Sequence, residues 1–269
     1  MSNQHTAFVG SIPENYDRYL GPALFEPYAE DLAGRVRVSG TASVLEIACG
    51  TGILTRLLRD SLASTVELVA TDLNPAMMQY AARKFREGEK VVFKQADAAD
   101  LPFPDQSFAA AVCQFGLMFV PDKQTALREA HRVLGPGSSF VFNVWDAIEF
   151  NEFAYLAHKT VSKFFERDPP KFYEVPFSMH DTEEIVALLK ATGFREIDLS
   201  LLKLPSNSPS AKELAKGLVE GNPVIGEIRE RASASVAEIE SALSDKIVAR
   251  CGDMPVRGLM QAFVCECVR

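Results

Sequence analysis

Positive charge is scarce in this chain, and none of it is gathered. Its 28 Lys and Arg face 36 Asp and Glu, giving a formal net charge of −8. A nucleic-acid binder needs a basic stripe to meet phosphates, so the balance argues against nucleic acid as a partner. No apolar run reaches the ~20 residues of a membrane helix, so no membrane span is predicted. The opening residues Met1-Ser2-Asn3-Gln4-His5-Thr6 lack the charged and apolar regions of a secretory signal. The five cysteines, Cys49, Cys113, Cys251, Cys265 and Cys267, include no Cys-x-x-Cys pair. They read as reduced, buried thiols of a cytoplasmic protein, and no metal site is predicted from their spacing. Internal repeats and low-complexity stretches are absent too. Nothing in the sequence bears on oligomeric state.

What is present starts with Val44-Leu45-Glu46-Ile47-Ala48-Cys49-Gly50-Thr51-Gly52-Ile53-Leu54-Thr55. An apolar run ends beside an acidic residue. Small residues then stand at Ala48, Gly50 and Gly52, and a helical pattern begins. This reads as strand, tight turn and helix, with room for a ligand against the backbone and amides facing it. Asp72 ends a second strand-like run, Val66 to Thr71. It lies roughly 20 residues past the glycines, where a carboxylate can accept both hydroxyls of a ribose. Asp97 ends a third run, Val91 to Ala96, and Gln114-Phe115-Gly116 ends a fourth, Ala109 to Cys113. In a parallel sheet these four strand ends open on one edge, where α/β domains bind ligands.

A dinucleotide site of the NAD(P)-linked oxidoreductases is the rival reading, and three features weigh against it. The third glycine of that fingerprint should stand where Thr55 stands. Glu46 puts negative charge where a pyrophosphate would lie, whereas a cationic ligand would tolerate it. Asp97 has no place in the dinucleotide pattern.

The series Leu45–Gly52, Thr71-Asp72-Leu73-Asn74-Pro75-Ala76-Met77 and Ala96-Asp97-Ala98 resembles the S-adenosylmethionine-dependent methyltransferases of class I. The stretch Leu101–Phe108 and Leu134-Gly135-Pro136-Gly137-Ser138 match the small-molecule branch that includes the ubiquinone-biosynthesis type. The one departure is Ala48, where many members carry glycine. The resemblance implies a Rossmann-like, doubly wound α/β sheet of seven strands, mostly parallel with an antiparallel last strand, plus a helical cap. It implies S-adenosylmethionine as cofactor, S-adenosylhomocysteine as product and a small-molecule acceptor. By the same resemblance Glu46, Ala48, Cys49, Gly50, Thr51 and Gly52 hold the methionine end. Asp72 takes the ribose, Leu73 and Met77 flank the adenine, and Asp97 with Ala98 meets its amino group. Gln114 and Phe115 close the floor, and Tyr16 and Tyr19 reach over the cofactor.

The chain divides accordingly. Residues 1–40 form N-terminal helices, with a break at Gly21-Pro22, and 41–147 the cofactor-binding core. Residues 148–180 form a cap insertion, 181–204 the core continued, 205–253 a helical cap insertion and 254–269 the last core strand. Asn74 with Pro75, Asp122, and Asp181 with Glu184 mark helix starts. Pro205 to Ser210 reads as a loop by composition.

Methyl transfer from a sulfonium is an in-line displacement. It asks the protein for alignment, exclusion of water and, for some acceptors, removal of a proton. No catalytic motif is required, and the catalytic residue stays open. His158 and His180, in or beside the cap, and Tyr16 are the candidates. His131 reads as structural, and His5 sits in the N-terminal tail. A protein that binds the cofactor without catalysis fits the same motifs.

Overall fold

The computed structural model describes residues 7–38 and 40–269. His5 lies outside these residues. Seven strands form one sheet in the order β3-β2-β1-β4-β5-β7-β6. They are β1 (Ser43–Ile47), β2 (Glu67–Asp72), β3 (Val91–Gln95), β4 (Phe108–Gln114), β5 (Leu134–Trp145), β6 (Arg195–Ser208) and β7 (Val256–Val268). The first five pair in parallel, while β7 runs antiparallel to both β5 and β6. The chain works outward from β1 through β2 to β3, then returns to place β4 on the other side of β1. The crevice for a ligand opens at that reversal, between the ends of β1 and β4.

The strands read as apolar runs because both faces are covered. Helices α2 (Glu26–Arg35) and α3 (Ile53–Ser61) cover one face, where Ala29, Leu32, Leu54 and Leu58 meet Val44, Val112 and Val141. Helices α5 (Lys123–Val133) and α7 (Thr182–Ala191) cover the other, where Leu127, Ala130, Ile185 and Leu189 join Phe140 and Phe142 in one apolar cluster. The predicted helix starts are built by side chains. Asn74 accepts from the Ala76 amide at 2.9 Å to open α4 (Pro75–Ala82). Asp122 accepts from the Thr125 amide at 2.9 Å, and Asp181 from the amides of Glu183 and Glu184 at 2.9 and 3.1 Å. Such caps each add about 1 kcal/mol to a helix.

Four more helices pack together at the C-terminal side of the strands: α6 (Glu152–Val161), α8 (Ala211–Glu220), α9 (Val224–Arg231) and α10 (Val236–Cys251). Phe153, Leu214, Leu218, Ile239, Leu243 and Ile247 are buried there. Phe153 is fully buried beside Gly258, where an added Cβ would come within 2.5 Å of its ring. It is a packing residue.

Two local expectations fail. The N-terminal segment has no break at Gly21-Pro22. It runs continuously from α1 (Ile12–Asn15) through a π-helical stretch, Tyr16–Phe25, into α2. Pro22 is exposed, and the wide π turn, closed by the Glu26 amide on the Gly21 carbonyl, leaves room for its ring. Pro205 to Ser208 is strand rather than loop. Here β6 is an edge strand paired only with β7, so a proline without an N–H disrupts no ladder.

Candidate cofactor site

The site begins with the turn after β1. Ala48, Gly50 and Gly52 take φ values of +58°, +55° and +79°, all in the left-handed region. Glycine enters that region freely, whereas alanine is strained by about 1 kcal/mol. Ala48 thus stands where the conformation favours glycine. Its methyl fits because Gly116, after β4, has none. A Cβ on Gly116 would lie 2.5 Å from that of Ala48 and 2.8 Å from Cys113 Sγ. Gly52 is required for packing as well, since a Cβ there would sit 2.8 Å from Ala81 Cβ on α4.

Glu46 ends its strand buried, 1% exposed. Its Oε2 and the Thr51 hydroxyl are buried without a hydrogen-bond partner among the described residues, and both residues line one cavity. Buried polar atoms are seldom left unpaired, and two beside one turn mark a place built for a ligand. Burial, opposed by the neighbouring Thr55 hydroxyl and reinforced by the Asp72 charge, pushes the Glu46 carboxyl up to about 8. Asp72 accepts from the Gly50 amide and the Asn74 amide, each at 2.8 Å. A carboxylate has about four lone-pair directions, so about two remain for a ligand. Burial raises its pKa while these amides oppose the rise.

Leu73 follows with its apolar side chain 52% exposed, and Met77 is buried with Cε 3.7 Å from where a Cβ of Gly50 would lie. Asp97 is exposed, and its Oδ1 accepts from the Ala99 amide at 2.9 Å. Ala98, beside it, is half-buried.

The floor and cover are aromatic. Phe115 is itself left-handed, φ +49°, and its amide donates to Asn143 Oδ1 at 2.9 Å. Its ring stacks on Trp145 with centroids 3.7 Å apart and 9° between planes. Gln114 Nε2 donates to the Phe25 carbonyl at 2.8 Å, tying the floor to the N-terminal helix. Tyr16 stacks on Phe25 at 4.6 Å, and Phe8 meets the edge of Tyr16 at 5.9 Å. Tyr16, Phe25, Glu46, Ala48, Cys49, Gly50, Thr51 and Gln114, with Ile53 and Leu54, enclose a cavity of about 30 Å³. That is room for about one water, against roughly 300–1,000 Å³ in sites for small molecules.

Of the residues singled out from sequence, Tyr16, Glu46, Ala48, Cys49, Gly50, Thr51 and Gln114 come together around this cavity. Tyr19 does not line it. Its Cβ faces Gly217 of α8 and its ring lies under the Arg18 guanidinium. His180 is exposed, with Nδ1 2.7 Å from the Phe177 carbonyl. His158 Nδ1 is buried without a partner, and its ring lies 6.3 Å from that of Tyr173. Neither histidine lines the cavity. His131 packs edge-on against Phe194, and burial lowers its pKa. Sequence reasoning missed Phe25, Asn143 and Gly116. Asn143 had a usable signal: it is the one polar residue in the run Phe140-Val141-Phe142-Asn143-Val144-Trp145. Among the described residues no group of three His, Cys, Asp or Glu could hold a metal ion.

Carboxylates at the ends of β1 and β2, with a third just past β3, around a left-handed turn at the strand reversal define an α/β domain that binds a nucleoside-bearing cofactor. Residues 45–142 match the methyltransferase domain family. The chain is 31% identical over 205 residues to a ubiquinone/menaquinone biosynthesis C-methyltransferase UbiE of Legionella pneumophila, covering 69% of this chain and 81% of that one. With the enzyme of the same name from Hahella chejuensis it shares 40% over 117 residues, 42% of this chain and only 46% of that protein's length. The fold matches phosphoethanolamine N-methyltransferase 2 of Haemonchus contortus, solved with S-adenosyl-L-methionine, at a TM-score of 0.63 and 15% identity. That match covers all of this chain and 60% of the other. The chain belongs to the class I S-adenosylmethionine-dependent methyltransferases.

Proposed function

We propose that this methyltransferase binds its cofactor in the cleft between the ends of β1 and β4 and methylates an aromatic ring of the quinone-precursor kind. The observation that carries the cofactor placement is Glu46, a buried carboxyl at the turn with one oxygen unpartnered and facing a cavity. It suits the ammonium of the methionine end. The unpaired Thr51 hydroxyl suits the carboxylate beside it. Asp72 keeps acceptor capacity for the ribose, exposed Leu73 and buried Met77 offer apolar contact to the base, and Asp97 accepts from its amino group. When bound, the cofactor supplies an activated methyl group. The protein's part is to align it and keep water away, and the stacked Phe115 and Trp145 give the site a dry wall.

The acceptor class is supported by the relatives' ubiquinone/menaquinone C-methylation and by the aromatic series Phe25, Phe115, Trp145 and Phe177. Flat rings stack on such walls. Residues 148–180 and 205–253 act as the cap that chooses the acceptor. Where a ring hydroxyl must lose its proton, His158 is the better base, because its Nδ1 is buried within the cap beside the Tyr173 ring whereas His180 is exposed. The chain works in the cytoplasm. That placement is supported by five free cysteines and by the lack, among the described residues, of any helix long and apolar enough to cross a membrane.

Calorimetry with S-adenosylmethionine, S-adenosylhomocysteine and NAD(H) tests the cofactor placement, and comparable or tighter NAD(H) binding would sink it. Labelled methyl transfer to a panel holding a demethylated quinol and phosphoethanolamine tests the acceptor. Turnover of the amine alone would overturn the ring reading, and binding without turnover of any acceptor would favour a non-catalytic cofactor-binding protein.

A further inference from the structure

Helix α8 ends in two glycines one turn apart, Gly217 and Gly221, that face the N-terminal helical segment. A Cβ at Gly217 would lie 2.7 Å from Tyr19 Cβ and 2.8 Å from Leu20 Cδ2. At Gly221, just past the end of α8, it would lie 2.5 Å from the Gly217 carbonyl oxygen of the same helix, 3.1 Å from the Tyr16 nitrogen and 3.2 Å from Tyr16 Cα. The obstacle at Gly221 is backbone, which cannot swing away as a side chain can. Glycine at the helical position Gly217 costs about 1 kcal/mol of helix stability relative to alanine, so its local effect is unfavourable and a tertiary contact must justify it. Gly226, on α9, has nothing within 4 Å of an added Cβ. Close approach is therefore a property of the α8 glycines and not of glycine in this helical group generally.

The segment pressed against α8 is the one that covers the cofactor cavity. Its other anchors are all on the core. Asn74 Nδ2 donates to the Phe8 carbonyl at 3.0 Å, Asp17 pairs with Lys84, and the Phe25 carbonyl accepts from Gln114. Tyr16 is thus held between the core and α8, with its ring in the cavity lining and its backbone on Gly221. On its other side α8 carries the Leu218 carbonyl, which accepts from the Tyr173 hydroxyl at 2.8 Å and from Asn222 Nδ2 at 2.9 Å. Tyr173 in turn lies against His158 of α6. A cavity of about 30 Å³ must widen to admit the methionine end of the cofactor, and Tyr16 and Phe25 are its walls from this segment. Any shift of the Tyr16 backbone is felt first at Gly221.

We propose that Gly217 and Gly221 are positioning residues for Tyr16. The glycine face of α8 sets where the ring stands over the cofactor, and it transmits cofactor occupancy to the helices that carry Tyr173 and His158. This rests on the cofactor placement above. It requires that α8 respond to a ligand it does not touch, and that the effect of filling its glycine face depend on the Tyr16 ring.

Both requirements are measurable with S-adenosylhomocysteine as the probe. In the wild-type protein, amide exchange across residues 211–221 slows by at least about threefold on saturation, while α3 and α4 serve as the directly liganded comparison. In a double-mutant cycle, Gly221→Ala weakens binding by about tenfold when Tyr16 is present and by less than about twofold in the Tyr16→Ala background. Gly226→Ala changes neither. A purely structural role for Gly221 predicts equal losses in both backgrounds, and that result overturns the proposal. If Gly221→Ala does not fold, the wild-type exchange still decides, since an α8 indifferent to the ligand also overturns it. Failure of the wild-type protein to bind the probe at all would instead remove the cofactor placement, a different failure.

Discussion

Cofactor binding should expel a proton from Glu46. The carboxyl is almost wholly buried, and burial holds it at about 8 against an ordinary 4.5. At pH 7 only about one molecule in eleven then carries it as carboxylate. An ammonium set against it in that dry position stabilises the charged form and draws its pKa below 7. Nearly one proton therefore leaves as the ligand enters. The ligand's α-amino group, with an ordinary pKa near 8, takes back about 0.1, so the net release at pH 7 is about 0.8. Affinity should fall about twenty-five-fold between pH 8 and pH 6, and the trend should reverse above pH 8 as the ammonium itself titrates.

Calorimetry in buffers of differing ionisation enthalpy reads this directly, because the slope of observed heat against buffer enthalpy is the proton count. Glu46→Gln keeps the shape and loses the titration, so its slope should be near zero and its affinity lower but flat from pH 6 to 7.5. The same shift has a sign for stability. A carboxyl raised in the folded state stabilises fully below its unfolded pKa and loses that contribution as pH rises through about 8. The ligand-free protein should accordingly melt lower at pH 9 than at pH 6 on this group's account, and Glu46→Gln should lose that difference. A wild-type release below about 0.3 protons, or an equal release in Glu46→Gln, would refute the reasoning.

Asp72→Ala should weaken S-adenosylhomocysteine binding at least about tenfold, since it deletes charge-assisted bonds of about 1.5–3 kcal/mol each. Asp60→Ala, which removes an exposed partner of Arg56, should leave calorimetric affinity unchanged. Gly116→Ala should destabilise by about 2 kcal/mol through its clashes with the Ala48 methyl and Cys113 Sγ, and Ala48→Gly, which relieves the first and not the second, should rescue part of that loss in thermal melts. A double variant as unstable as Gly116→Ala alone would break the argument. His158→Ala should lower kcat about a hundredfold with cofactor affinity intact, and an unchanged kcat would clear His158 of the role.

The turns at the strand ends were legible because they are local. In a parallel sheet each strand end is followed by its own turn, so Glu46 with its glycines, Asp72 with Leu73, and Asp97 with Ala98 are neighbours in sequence before they are neighbours in space. The helix starts at Asn74, Asp122 and Asp181 were legible for the same reason. Two kinds of feature were not. Edge pairing let Pro205 continue β6, and a wide helical turn let Pro22 continue the N-terminal helix, both against local preference. Long-range fits were equally hidden. Nothing in the sequence near Gly116 announces the Ala48 methyl, and nothing near Gly221 announces Tyr16. In α10 the helical spacing of Ile239, Leu243 and Ile247 was legible, but the packing of α6 against α8–α10 was not, because these helices come from two distant stretches of the chain.

Asp72 shows why fold and function are hard to separate at this edge. Its carboxylate receives the Gly50 amide from one side and the Asn74 amide from the other. The first bond pins the left-handed turn after β1, and the second pins the start of α4, whose Ala81 leaves no room for a Cβ on Gly52. The residue read from sequence as a ribose acceptor is thus also the clamp that shapes the turn around Glu46. A carboxylate does both because its lone pairs point in several directions, so holding two amides still leaves capacity for hydroxyls. Part of the affinity lost in Asp72→Ala will therefore come from a turn that no longer holds Gly50 in place. That is the physical reason an acidic strand end beside a glycine turn is informative: the carboxylate offered to a ligand is the one that the turn amides need.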